Sequence, residues 1–359
     1  MRLSGYAALL ISSILLASAV TANQCQETRT RKEWRDLTHE QKLNYIKAVK
    51  EIQKPNGLRP STYDQIAKLH GDNAGPLHTH PIFLPWHRWQ LLIYENKLRQ
   101  KVPGVTLAYW DWAHDSQEPQ AAPIWGDGPD AFGRNGNPDN ENCVTTGAFA
   151  SWKPRYPKKH CLKRVWRHQV RNIDGEMSVV ANTISALVSS ENMNMLLVSS
   201  KTFQEVARAI ELTPHGTAHN NLGGEMLSMY SPNDPIFYLH HCNIDRLWDA
   251  WQRMSPKNVM AYGGTNQGGS PAKLTDTFIH KVNLGGLLGT HAFHKPMTVN
   301  DVMNNMGIKD RRKKGLVNVC VVYEARKTKP LPPPPPPQPL KPKDDEEEED
   351  KPKPPSKRP

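Results

Sequence analysis

Three histidines, His78, His80 and His87, fall within one stretch, HTHPIFLPWHRWQLLIYE from His78 to Glu95, and a second group, His215, His219, His240 and His241, comes later. His215 and His219 are four residues apart, so on a helix both imidazoles leave the same face and reach one ion. His241, on the apolar helix that follows, completes a set of three nitrogens. His70, His78 and His87 make another, drawn from the end of one helix, a loop and the start of the next. Neutral imidazole suits copper, zinc and iron. Neither set has an obvious carboxylate or Cys-x-x-Cys partner, which argues against magnesium, calcium and a structural zinc finger and leaves copper or catalytic zinc. Two such sites facing each other leave open positions between the metals for a diatomic ligand, which with copper means oxygen chemistry. His80 faces away from His78 in regular structure and reads as a bystander, and His240 points about a quarter-turn away from His241 on a helix. His39, His114, His160, His168, His280, His291 and His294 have no spacing that asks for a role.

The elements that must position these residues are helical. Thr38 followed by Gln41 reads as a capping box opening a helix over 38–52. Tyr63, Ile66, Ala67 and His70 share one face of a second helix, Ser61 to His70, which Gly71 to Pro76 is expected to break. Helical character resumes after Pro85. Leu107 to Trp112 (LAYWDW) is extended or a turn, and Pro119 to His160 is a long irregular excursion of the kind that surrounds clefts. Val179 to Leu212, with Phe203 to Ile210 as its clearest run, and Ile236 to Met254 return to helix, with a Gly223-Gly224 loop between them. Leu316 to Tyr323 is the best strand.

With 359 residues the chain can bury a sizeable core. Residues 1–22, with the apolar run Tyr6 to Val20, have the layout of a secretory signal peptide, and no later stretch is apolar for long enough to span a membrane. An exported protein meets an oxidising compartment, where its five cysteines are expected to bridge as Cys143 with Cys161 and Cys25 with Cys320, leaving Cys242 free on a buried helix. The formal charge of +11 comes from scattered basic residues, so nucleic-acid binding is not expected. From residue 327 to 359 the chain is low complexity, with Pro332 to Pro337 and then the acidic run Asp344 to Asp350. Such a tail cannot bury a core, and its acidic run suits calcium, mineral or basic proteins, or simply keeps the chain soluble.

His78, Phe83-Leu84-Pro85-Trp86-His87-Arg88, Leu91 and Glu95 resemble the first copper signature of the tyrosinase family. Asp234-Pro235, Phe237-Tyr238, His241 and Asp245 resemble the second, and the likeness covers roughly Arg31 to Tyr323. It implies a mainly α fold, with a central antiparallel four-helix bundle holding a dicopper site, long irregular loops and a few short strands, in a copper domain over 23–326. It also implies that His70, His78 and His87 hold one copper and His215, His219 and His241 the other, with His240 as the alternative to His241. By helix spacing Asp245 stands one turn beyond His241, placed to hold a ring nitrogen, and Phe83 and Phe237 read as packing residues that wall the copper histidines. The activity implied is oxidation of o-diphenols to o-quinones with O2, acting on phenolic small molecules or on tyrosine- or DOPA-containing matrix proteins. Glu211 matches the family's acidic residue that holds a water and helps deprotonate a phenol. Three departures follow. Gly216 stands where strong monophenolases often have Asn, which favours diphenol oxidation. Pro76 stands where some members carry a thioether cysteine, and nothing after Tyr323 resembles the plug of latent enzymes. The Pro-rich acidic tail is similar to that of secreted molluscan shell-matrix members, so the alternatives are a low-activity matrix protein or an O2-binding hemocyanin-like unit.

Overall fold

A computed structural model describes residues 25–55, 57, 60–171, 176–278, 297–312 and 315–327. The expected signal segment and the tail beyond Lys327 lie outside these residues, as do His280, His291 and His294.

Helices dominate, in the order β1 (Glu27–Glu33), α1 (His39–Gln53), α2 (Thr62–Leu77), α3 (Phe83–Lys101), β2 (Ala108–Tyr109), β3 (Gln169–Arg171), β4 (Met177–Val179), α4 (Ser190–Ser199), α5 (Phe203–Ile210), α6 (Gly216–Leu222), α7 (Ile236–Arg253), β5 (Ile308–Arg312) and β6 (Gly315–Tyr323). The Thr38 hydroxyl accepts from the Gln41 amide while the Gln41 side chain accepts from the Thr38 amide, so α1 starts at its capping box. Every residue from Phe83 to Glu95 in α3 is buried, which makes α3 a central element rather than a surface helix. It begins two residues before Pro85, whose missing N–H falls in the first turn, where it has no intrahelical partner to lose. Among the described residues no helix is long and apolar enough to cross a membrane.

The expected break of α2 at Gly71 does not occur. Asn73, Ala74 and Leu77 carry the buried face onward, and the glycine serves packing: a Cβ there would sit 2.4 Å from the Tyr230 ring. Pro76 is absorbed in the final turn. The helix expected from Val179 begins only at Ser190, and the aromatic segment at 107–112 supplies only the two-residue strand β2.

One sheet has the order β2-β1-β6-β5, with β1 parallel to both β2 and β6 and β5 antiparallel to β6. Beneath it lies a layer of buried charge. Arg29 and Arg31 of β1 reach Glu95 of α3 at 3.0 and 3.1 Å, and Glu95 also accepts from the Leu107 amide. Burial alone would raise the Glu95 pKa, but the two guanidinium groups outweigh it and hold the carboxyl at about 2. Asp245 of α7 accepts from Arg88 at 2.6 Å and from the Tyr323 hydroxyl at 2.5 Å. Helices and sheet are thus joined through α3 and α7, the elements that carry the second half of each signature.

Both expected disulfides form, Cys143 with Cys161 and Cys25 with Cys320, and Cys242 is free and buried. The first staples the irregular excursion, and Arg164 anchors it. The Arg164 guanidinium donates to both Asp234 oxygens and to the carbonyls of Phe132 and Gly133, tying the loop to the entry of α7.

Candidate metal centre

The structure brings the histidines together as two groups, His70, His78 and His87 in one and His215, His219, His240 and His241 in the other, with ligand-capable atoms within 4.8 Å of one another in each. The first group comes from α2, its C-cap and α3. In the second, His215 closes a π-helical turn, Glu211–His215, between α5 and α6. Pro214 inside that turn cannot donate a helical N–H and crowds the preceding turn, which suits the wider winding. The imidazoles of His215 and His219 still meet, with ring centroids 4.4 Å apart. The groups face each other: His87 stacks on His241 at 4.3 Å and 10°, and His78 on His215 at 5.9 Å and 26°.

Five rings have one nitrogen committed. The Nδ1 of His70, His78, His87, His215 and His219 lies 2.6 to 3.1 Å from the carbonyls of Met229, Ala74, Phe83, Glu211 and Met226 respectively. A carbonyl only accepts, so each Nδ1 carries the proton and each Nε2 keeps a lone pair. The buried Nε2 atoms of His70, His87 and His215 have no hydrogen-bond partner, and the Nε2 atoms of His219 and His241 face each other at 3.4 Å. Burial lowers the pKa of His70 to about 3 and of His219 to about 4, and drives those of His87, His215, His240 and His241 well below the usual imidazole value. Neutral rings with converging, unpartnered lone pairs fit divalent or monovalent soft-to-borderline metals bound through nitrogen.

Two expectations need correcting or sharpening. Asp245 does not hold a histidine; Arg88, Tyr323 and, at 3.5 Å, Arg31 occupy it, and His241 Nδ1 is left unpartnered. A carboxylate flanked by two arginines is claimed by the stronger charged donors. His240 is fully buried with neither nitrogen paired, so it belongs spatially to the second group. His80 joins neither group and instead lines a cleft with Thr79, Arg208 and Glu211.

Aromatic rings close the space. Phe83 lies 4.8 Å from both His87 and His215, and Phe237 lies 4.1 Å from His241 and 5.2 Å from His70. Glu211 links the groups: its backbone carbonyl accepts from His215 Nδ1–H, while its Oε1 accepts at 2.6 Å from the amide of Thr79, next to His78. Thr79 adopts φ 63°, a left-handed conformation rare for a β-branched residue. Burial raises the Glu211 pKa to about 7, against the opposing effects of the Thr79 amide and Arg208.

Residues 60–254, more than half of the chain, match the common central domain of tyrosinase, a span that includes every histidine of both groups and Glu211. Tyrosinase ustQ of Aspergillus flavus is 30% identical over 309 residues, 81% of this chain and 80% of that protein. Grixazone synthase of Streptomyces griseus is 32% identical over 273 residues, 63% of this chain and 85% of its own. A polyphenol oxidase variant from Thermothelomyces thermophila shares the fold, with a TM-score of 0.61 at 20% identity over 87% of this chain and 93% of that one. With a matched domain that holds both histidine groups and a relative aligned over four-fifths of its length, the chain belongs to the tyrosinase family.

Proposed function

We propose that the chain is a secreted dicopper phenol oxidase that converts o-diphenols to o-quinones. The observation that carries this reading is the pair of facing imidazole groups, in which the Nε2 atoms of His70, His87 and His215 are buried without partners and those of His219 and His241 meet at 3.4 Å. His70, His78 and His87 would hold one copper, and His215, His219 and His241 the other. Bound copper would supply the activation of dioxygen and the acceptance of electrons from the phenol. The protein's own contribution is positioning and proton handling. Backbone carbonyls hold five imidazoles in the tautomer that presents Nε2, and burial keeps the rings neutral at physiological pH. Phe83 and Phe237 exclude water from the interior side.

Glu211 is the residue suited to take a phenolic proton. Thr79 anchors one of its oxygens, the other is free to accept, and a pKa near 7 makes the carboxyl an effective base at neutral pH. Gly216 presents no polar side chain beside His215 that could help Glu211 order a water, so the easier diphenol step is favoured over monophenol hydroxylation. Two disulfides support an oxidising, extracellular location. Phenolic small molecules or exposed phenolic side chains of matrix proteins are the substrates this reading implies.

The test is copper content of the purified protein together with turnover on a monophenol and its matching o-diphenol. Two coppers per chain and rapid quinone formation from the diphenol are expected. Failure to take up copper with all six histidines intact overturns the reading. Reversible oxygen uptake without quinone would identify an oxygen carrier, and copper without either activity a matrix protein.

A further inference from the structure

The two histidine groups share one connector. Between α6 and α7 the chain runs from Gly224 to Asn233 through two short 3-10 turns. The Met226 carbonyl accepts from His219 Nδ1 at 2.6 Å, and the Met229 carbonyl accepts from His70 Nδ1 at 2.7 Å. The other three committed rings lean on the carbonyl four residues earlier in their own chain segment, Ala74 for His78, Phe83 for His87 and Glu211 for His215. Their orientation follows from local helical geometry. For His70 and His219 it depends on where the connector sits: its ends, Met226 and Ser231 to Asn233, are buried, while Leu227 and Met229 between them are exposed.

Tyr63 and Trp152 donate to the Pro232 and Asn233 carbonyls at the far end of the connector, and Glu225 is the side chain that ties its near end to that anchored end. The side chain is 7% exposed, and its Oε1 lies 2.7 Å from His160 Nε2 while its Oε2 accepts from Asn233 Nδ2 at 3.2 Å. It therefore ties the two ends of the connector together across eight positions. His160 Nδ1 donates to the Lys158 carbonyl, the Glu225 amide donates to the Lys163 carbonyl, and Asn233 also donates to the Tyr156 carbonyl. Tyr156 and Lys158 lie on the loop closed by Cys143 and Cys161, and Lys163 lies two residues beyond it.

We propose that Glu225, with His160 and Asn233, is a positioning device that sets the tautomer and aim of one imidazole in each group, His70 and His219, through the connector carbonyls. Its value to the enzyme rests on the dicopper reading; its geometry does not. Outer partners of this kind typically carry ten- to hundredfold in metal affinity.

The experiment has two arms. In the metal-free protein, imidazole nitrogen NMR reads which nitrogen of each ring is protonated. Glu225→Ala should turn His70 and His219 from Nδ1-protonated into mixed tautomers, while His78 and His87 stay unchanged. Glu225→Gln should restore the wild-type pattern, because the amide can accept from Asn233 and donate to His160. In the copper-loaded protein, Glu225→Ala should hold both metals about ten- to hundredfold more weakly in competition with a chelator. Unchanged His70 and His219, a change in only one of them, or an equal change in all five rings would each overturn the proposal. If Glu225→Ala does not fold, His160→Leu removes one tie and should shift the same two rings, and no shift there is equally fatal. A wild-type protein that binds no copper would defeat the dicopper reading alone, and the tautomer arm would still decide this one.

Discussion

The two histidine groups differ in how completely their rings are prepared. In the first, all three Nδ1 atoms rest on backbone carbonyls, so His70, His78 and His87 are each fixed in one tautomer. In the second, only His215 and His219 are fixed this way. His241 has an unpartnered Nδ1, and the extra imidazole of His240 has no partner at either nitrogen. The first position is therefore pre-organised, and the second leaves two neighbouring rings on α7 to be sorted by whatever binds. Leaving buried polar atoms unpaired is costly, of order 1–3 kcal/mol each.

Single-ring deletions give the largest effects and test the asymmetry directly. His87→Ala and His241→Ala should each cost one copper per chain and lower diphenol turnover by about a thousandfold or more, since no step survives loss of a metal. His240→Ala should leave two coppers bound and reduce turnover by no more than about tenfold, as expected of a ring outside the coordination shell. Metal analysis beside a catechol assay decides it. Loss of copper from His240→Ala with retention in His241→Ala would reverse the assignment of the second position.

Glu211 bonds His215 through its carbonyl and the residue after His78 through its side chain, and its removal is the next effect in size. Glu211→Gln should keep the Thr79 bond through its carbonyl oxygen but lose the base, lowering phenol turnover about a hundredfold, the lower range for a positioned general base. The wild-type rate should rise with pH through about 7, because only the ionised carboxyl accepts a proton, and this limb should be missing from the variant. A pH profile that is identical in the two proteins would remove Glu211 from the chemistry.

Stability of the metal-free protein should also follow pH. His70 and His219 fall from the unperturbed 6.5 to about 3 and about 4 on burial. An unfolded chain then binds more protons than the folded one below about pH 6.5. The stability these rings leave intact at pH 7 is lost as pH falls from about 6.5 toward 3. Thermal unfolding of metal-free protein between pH 7.5 and 4 should show a steady decline, and a flat profile would mean the rings are more hydrated than their burial implies.

Much of this arrangement was legible in the residues, and what was not has a physical reason. The spacing of His215 and His219, the apolar face leading to His70 and the capping box at Thr38 are local signals. Strand β1 was missed because its inward positions are Arg29, Arg31 and Glu33. A period-2 pattern of buried charge is invisible to a search for alternating apolar residues: Arg29 and Arg31 are paired there by Glu95 and Asp245, sixty and more residues away, and Glu33 by Arg35. Asp245 was expected on His241 from helix spacing alone, which cannot register that Arg88 and Tyr323 converge on the same carboxylate. His160 and Glu225 gave no sequence signal at all, because their meeting depends on a loop path set by the Cys143–Cys161 staple and by Arg164.

The misread break at Gly71 provides the smallest and most selective test. Glycine next to a metal-directed histidine looked like a helix stop, yet it is the place where Tyr230 packs on α2. Gly71→Ala improves helix propensity by roughly 1 kcal/mol, but its methyl group would sit 2.4 Å from the ring, and overpacking of this kind costs about 1–3 kcal/mol. The net loss should be small, a shift of a few degrees at most in the thermal midpoint. The functional effect should be local to the first group, because moving Tyr230 moves the adjacent Met229 carbonyl and so loosens His70. His219, held by Met226 three residues earlier in the connector, should keep its Nδ1 proton while His70 becomes mixed. If both rings change together, the connector moves as one rigid piece, and the difference in preparation between the two groups lies in α7 alone.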